Sequence, residues 1–155
     1  MAAKNPQVEV TIIDLPAAQQ ICEEQISRHG LSDRIKFEAY DIFKDGFPNG
    51  FDDVLFFHEL MIWSHSQIQY LLKEAYNSLG ETCRVVIVGS VSNYSEDGPV
   101  MAALDTVYYR SVAAGHGMVY PWKDYEKILL DVGFQSVMRI KCDTWTPHGI
   151  FIGHK

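Results

Sequence analysis

Two stretches of this chain are apolar at consecutive rather than alternate positions: Asp53-Val54-Leu55-Phe56-Phe57, and the run from Arg84 through Val85-Val86-Ile87-Val88 to Val91. β-Branched and aromatic residues favour strands. A strand without a polar face must be covered on both sides, as in parallel sheets flanked by helices. Residues 8–13 read as a further buried strand, and Ile35, Phe37 and Ala39 alternate as another. Helical stripes lie between the strands. Pro16 suits a first helical turn, and Ala18, Ile21, Cys22 and Ile26 follow it up to the stop at Gly30. Ile68, Leu71, Leu72, Ala75 and Leu79 form a second stripe closed by Gly80. Pro99 opens a third, carrying Met101, Leu104, Val107 and Tyr108. Trp122, Tyr125, Ile128, Leu129 and Val132 form a fourth, stopped by Gly133. The last strands, 134–142 and 149–153, are joined by Asp143-Thr144-Trp145-Thr146-Pro147. That link is too short for a crossover, so this pair is expected to be antiparallel. The alternation predicts an α/β sheet with helices on both faces, built by residues 1–155 as a single domain.

Composition narrows the function. The formal net charge is -7, and the thirteen Lys and Arg are scattered. Phosphate backbones are bound by clustered basic surfaces, so no nucleic-acid partner is expected. No apolar run reaches the length that spans a membrane. The opening Met1-Ala2-Ala3-Lys4-Asn5-Pro6 is too short and polar for a signal peptide. Cys22, Cys83 and Cys142 form no CxxC pair. They read as reduced thiols of a cytoplasmic protein, with no metal site.

Acidic residues mark the ends of the early strands. Asp14 follows Val10-Thr11-Ile12-Ile13, and Asp41 follows Lys36-Phe37-Glu38-Ala39-Tyr40. Open α/β sheets bind ligands outside the carboxyl ends of their strands. A carboxylate there accepts hydrogen bonds from a ribose diol or an adenine amino group. Each aspartate is equally suited to capping the turn that follows it.

These residues carry a resemblance. Val10-Thr11-Ile12-Ile13-Asp14-Leu15-Pro16 resembles a motif of S-adenosylmethionine-dependent small-molecule O-methyltransferases. Asp33-Arg34-Ile35-Lys36-Phe37 with Tyr40-Asp41-Ile42-Phe43 resembles the next block. Phe56-Phe57-His58-Glu59-Leu60-Met61-Ile62-Trp63 and the late Val132-Gly133-Phe134 resemble two more, so the likeness runs from Val8 to Lys155. It implies a Rossmann-like class I methyltransferase sheet with an antiparallel C-terminal strand pair. The sheet would be incomplete, because the first strand and the glycine-rich loop have no counterpart. Met1 to Pro6 resembles only the tail of the helix that follows that loop. By this resemblance Asp14 holds the ribose hydroxyls of S-adenosylmethionine and Leu15 lies against the cofactor. Asp41 meets the adenine amino group, with Ile42 and Phe43 beside the ring. Phe57 and Trp63 stand near the methionine part, although plain core packing also accounts for them. Met61, Met101, Leu104, Asp105 and Tyr108 would line the pocket of a small aromatic hydroxyl acceptor.

The pattern departs at the catalytic positions. Relatives carry a His-Asp pair just before the tryptophan, where this chain has Met61-Ile62, and a later glutamate falls near Gly89. The candidates left for proton transfer are His58, Glu59 and His116, since imidazole titrates in the useful range. The leading expectation is an O-methyltransferase catalytic domain, whole or partial, in a homodimer. The alternative is a non-catalytic methyltransferase-like module for binding or dimerisation. A dinucleotide oxidoreductase is disfavoured, because no GxGxxG turn is present. Loss of the central strand predicts unpaired edges that drive strand exchange or dimerisation.

Overall fold

The computed structural model describes residues 1–112, 115–142 and 147–155. Ala113, Ala114 and residues 143–146, which include most of the last predicted connection, lie outside the described residues. The elements run in the predicted order. They are β1 (Val10–Asp14), α1 (Gln19–Arg28), β2 (Ile35–Ala39), β3 (Asp53–Phe57), α2 (His65–Ser78) and β4 (Arg84–Ser90), then α3 (Val100–Val112), α4 (Trp122–Val132), β5 (Ser136–Lys141) and β6 (His148–His154). Two short 3-10 turns, Pro16–Ala18 and Leu60–Ile62, were not legible as such in the sequence.

The chain divides into two compact units, Met1–Phe47 and Pro48–Lys155. In the first, β1 and β2 pair in parallel, Val10 opposite Ile35 and Asp14 opposite Ala39. Both strands therefore deliver their aspartates to the same end. Residues 1–6 form a turn in which the Lys4 and Asn5 N–H groups donate to the Met1 carbonyl. The Arg34 guanidinium holds that turn by donating to the carbonyls of Ala2 (2.7 Å) and Asn5 (3.0 Å).

The second unit holds a mixed sheet in the order β3-β4-β6-β5. β3 pairs in parallel with β4, and β6 runs antiparallel to both β4 and β5. The last strand pair is therefore antiparallel, as its short link required. α2 starts at a capping box, where the Ser64 side chain accepts from Gln67 N–H while the Gln67 side chain returns to Ser64 N–H. α2 and α4 pack on one sheet face. Ile68, Leu71, Leu72 and Ala75 of α2, with Tyr125, Ile128 and Leu129 of α4, meet buried Phe56, Val85, Ile87 and Phe151 there. Phe151 sits between Trp122 and Tyr125, with ring centroids at 4.5 and 5.0 Å.

The opposite face corrects one expectation. Strand register aligns Leu55, Val86, Ile152 and Met138 in one row, and Phe57, Val88, Ile150 and Ile140 in the next. Both rows are apolar, as the sequence indicated, yet Leu55 is 43% and Phe57 65% exposed. The α2–α4 layer covers one side of this sheet, and among the described residues of the second unit the expected burial of the other side is incomplete. The first unit holds the sheet β1-β2 and the second the sheet β3-β4-β6-β5.

Truncating Phe151 to Ala removes the ring at the centre of the α4–β6 contact. It should lower unfolding free energy in denaturant titration by about 3–5 kcal/mol. A loss below about 1 kcal/mol would show that this contact is not the core of the unit.

Candidate active site

In the first unit the acidic strand ends are in place. Asp14 is exposed at the end of β1, and its Oδ1 accepts from the Leu15 N–H at 2.7 Å. Leu15 beside it is 52% exposed. The Asp41 carboxylate accepts from the Phe43 N–H at 3.1 Å and pairs with Lys44 at 2.8 Å. The Lys44 hydrogen bond, helped by Phe43 N–H, holds the Asp41 carboxyl below its ordinary pKa, so it is ionised and an acceptor. Ile42 and Phe43 beside it are half-buried. A carboxylate accepts about four hydrogen bonds, so both aspartates keep capacity for a ligand. An exposed carboxylate next to an exposed leucine fits a ribose diol and the apolar body of a nucleoside. Asp14, Leu15, Asp41, Ile42 and Phe43 thus lie in the first unit, whereas Phe57 and Trp63 lie in the second.

The second unit gathers polar side chains at the carboxyl ends of β3 and β4. His58 follows β3 directly and has φ 55, a left-handed conformation uncommon outside glycine. Its N–H still donates to the Val88 carbonyl at 2.8 Å, so the turn begins while the chain is tied to β4. The His58 ring meets the Phe57 ring edge-on at 4.9 Å and the His148 ring at 4.7 Å. His148 opens β6 and lies opposite Ser90, the last residue of β4. The buried Ser90 hydroxyl donates to Asp105 of α3 at 2.9 Å. Tyr109, one turn further along α3, also hydrogen-bonds Ser90. Burial, then the neighbouring His148, lowers the His58 pKa, while the Asp105 charge opposes the shift. Burial and Asp105 raise the Tyr109 pKa, so its phenol stays protonated.

The other predicted residues fall around this cluster. Glu59 turns toward Trp63, accepting from its indole N–H at 2.9 Å. His116 is exposed in the loop after α3. Leu104 and Tyr108 are 56% and 60% exposed on α3, while Met101 and Asp105 are half-buried. Met61 is only 1% exposed, and a Cβ placed on Gly89 would meet its Cε at 2.3 Å. The Met61 methyl therefore occupies the space a side chain at position 89 would need. Ser90, Tyr109 and His148 were missed in the sequence. The only signal for His148 is its register opposite Ser90, which no single-strand pattern carries. Among the described residues no group of three or more His, Cys, Asp or Glu is placed to hold a metal ion.

Comparison with known proteins gives this geometry its context. The family model of the O-methyltransferase domain matches residues 1–135. The chain belongs to that family. An L-tyrosine C(3)-methyltransferase of Streptomyces lavendulae is 43% identical over 157 residues, matching all of this chain and 43% of its own length. A 3-hydroxy-5-methyl-1-naphthoate 3-O-methyltransferase of Streptomyces sahachiroi is 28% identical over 155 residues and 44% of its length. The crystal structure of the S-adenosylmethionine-dependent methyltransferase SibL in its apo form superposes with a TM-score of 0.92 at 37% identity. That match covers 99% of this chain and 45% of SibL. The chain thus spans less than half the length of these family members.

Two outcomes test the geometry. Gly89→Ala forces the Met61 thioether to move and should cost about 1–3 kcal/mol. Adding Met61→Ala should recover part of that loss in a double-mutant cycle, and strict additivity would show that the two positions do not touch. A His58 pKa below its unfolded value means that the unfolded chain binds the proton more readily. His58 therefore contributes stability above the ordinary histidine pKa of about 6.5, and that contribution is lost as pH falls below it through the lower folded-state pKa. His58→Gln should flatten the acid side of the stability-against-pH curve; an unchanged slope would contradict the burial of this imidazole.

Proposed function

We propose that this chain is the catalytic portion of an S-adenosylmethionine-dependent methyltransferase that acts on a small aromatic, hydroxyl-bearing acceptor. The observation that carries the reading is the pair of aspartates at one end of β1 and β2, with the exposed Leu15 beside Asp14. Asp14 holds the ribose hydroxyls, Asp41 the adenine amino group, and Leu15, Ile42 and Phe43 flank the nucleoside. Phe57 and Trp63 stand at the methionine part. When bound, S-adenosylmethionine supplies a methyl group on a sulfonium sulfur. Transfer is then a matter of holding the nucleophile in line with that methyl carbon. Leu104, Tyr108 and Met101, with the buried Met61 behind them in the expected set, offer apolar surface to an aromatic ring, and Asp105 meets its polar edge. His58 is the proton acceptor, with Glu59 and His116 as the other ionisable groups of the region. The relatives support an aromatic acceptor: one is named for a tyrosine ring carbon, another for a naphthoate hydroxyl.

The finer assignments follow the same reading. Three unpaired cysteines, Cys22, Cys83 and Cys142, suit the cytoplasm. Among the described residues no helix is long and apolar enough to cross a membrane. The exposed apolar rows and the exposed α3 residues Val100, Leu104 and Val107 suit a homodimer. A second reading, a non-catalytic binding or dimerisation module, is favoured by one observation. Met61, Ile62 and Gly89, the positions at which the family resemblance implies catalytic groups, carry no titratable side chain, and Met61 packs on Gly89.

The test is calorimetric titration with S-adenosylhomocysteine, using the protein expressed from the complete open reading frame that encodes this chain. Binding is expected, and Asp14→Ala should weaken it at least 10-fold, since a lost hydrogen-bonding carboxylate costs about 1.5–3 kcal/mol. Unchanged affinity in that variant would overturn the cofactor assignment, and absence of binding would favour the non-catalytic module.

A further inference from the structure

We propose that Asp105, set in place by Ser90 and Tyr109, is the specificity-determining residue of the acceptor site. It selects an aromatic ring that carries a second hydrogen-bond donor, a hydroxyl or an amino group, beside the hydroxyl that faces His58. The inference rests on the methyltransferase reading above and names the class of acceptor.

Ser90, at the end of β4, is 2% exposed. A buried hydroxyl needs hydrogen-bond partners, and Ser90 finds two on α3. A serine hydroxyl carries a single proton. That proton goes to Asp105 Oδ2 at 2.9 Å. The Tyr109 phenol, which stays protonated, therefore donates to the Ser90 oxygen. Both bonds run in one direction, from Tyr109 through Ser90 to Asp105. They fix the Asp105 carboxylate by one oxygen and leave the other, Oδ1, without a donor among the described residues. Asp105 is half-buried. Among the described residues no buried side-chain nitrogen or oxygen lacks a partner, so Oδ1 is open to solvent and to a ligand. Tethering α3 to β4 accounts for Oδ2 and gives Oδ1 no task.

Strand geometry sets this oxygen beside His58. Ser90 lies two residues beyond Val88 on β4, so both side chains point to the sheet face that carries Phe57. His148 lies opposite Ser90 on that face, and its ring meets the His58 ring at 4.7 Å. The Asp105 charge is felt at His58. An acceptor hydroxyl that faces His58 thus brings the neighbouring ring substituent to Asp105. An ionised carboxylate accepts hydrogen bonds and donates none. A hydroxyl or amino group at that ring position satisfies Oδ1. A plain C–H desolvates Oδ1 without a partner, and an ether oxygen sets its lone pairs against the negative charge. A site whose polar group is left unpaired in this way discriminates strongly against the ligand that lacks the donor.

The test is calorimetric titration of phenols into protein from the complete open reading frame, saturated with S-adenosylhomocysteine. The probes are 4-methylphenol, 4-methylcatechol, 2-amino-4-methylphenol and 2-methoxy-4-methylphenol. At least one of the catechol and the aminophenol should bind about 10-fold more tightly than 4-methylphenol, the scale of one hydrogen bond to a charged group. Which of the two binds better tells a second hydroxyl from an amino group. The methoxy compound should bind more weakly than 4-methylphenol. Asp105→Leu should abolish this order. Asp105→Asn keeps the tether, because its carbonyl oxygen still accepts from Ser90, but turns a donating NH2 toward the ligand. In that variant the methoxy compound should overtake 4-methylphenol, a reversal that a merely structural residue would not produce. Retained S-adenosylhomocysteine binding checks that both variants are folded. Equal affinities for all four probes in the native protein, or a native order that survives Asp105→Asn, would overturn the inference and leave the methyltransferase reading intact. So would failure of every phenol to bind protein that binds S-adenosylhomocysteine. Failure of the native protein to bind S-adenosylhomocysteine would instead overturn the underlying reading.

Discussion

The candidate acceptor site depends on β4 being paired along both edges. Its parallel partner β3 brings His58 to the Val88 carbonyl, and its antiparallel partner β6 brings His148 to Ser90. Neither histidine reaches the other through its own local sequence. A one-residue slip of either neighbour would turn the side chains to the opposite face and dissolve the pair. The register is secured by the covered face, where Phe56, Val85, Ile87 and Phe151 are buried. The packing of α2 and α4 thus fixes the placement of a polar cluster to which neither helix contributes a side chain.

Two local features adapt this frame. The Met61–Gly89 contact fills with an apolar thioether the space that a side chain at position 89 would need. The left-handed turn at His58 re-aims the chain at the strand end and turns its imidazole toward β6. The first places no titratable group at positions 61 and 89; the second places an imidazole at the end of β3. Ser90, Asp105 and Tyr109 then connect the strand end to α3, whose Leu104 and Tyr108 remain exposed.

Much of the fold was legible in the sequence, because it is written in local patterns. The apolar run at 53–57, the stripe through Leu72 and the stop at Gly133 each report on one element, and each forms. Asp14 and Asp41 were legible for the same reason, since a strand end is a local event. Residues joined by register were not. His148 fell between a predicted connection and a predicted strand, and only the pairing of β6 with β4 places it beside His58. Met61 looked like a pocket residue because its exposure depends on Gly89, a residue 28 positions away in sequence. The exposure of Leu55 and Phe57 was likewise hidden, for an apolar run states what a strand face needs and not whether the chain supplies it.

Histidine-selective nitrogen NMR tests the central claim most directly. The protein would be saturated with S-adenosylhomocysteine and titrated with a phenol. The account predicts that the imidazole signals of His58 and His148 move together on phenol binding, with His58 titrating below the ordinary histidine range beforehand. Imidazole signals that stay fixed while the phenol binds would contradict it, and would place the acceptor elsewhere in the second unit.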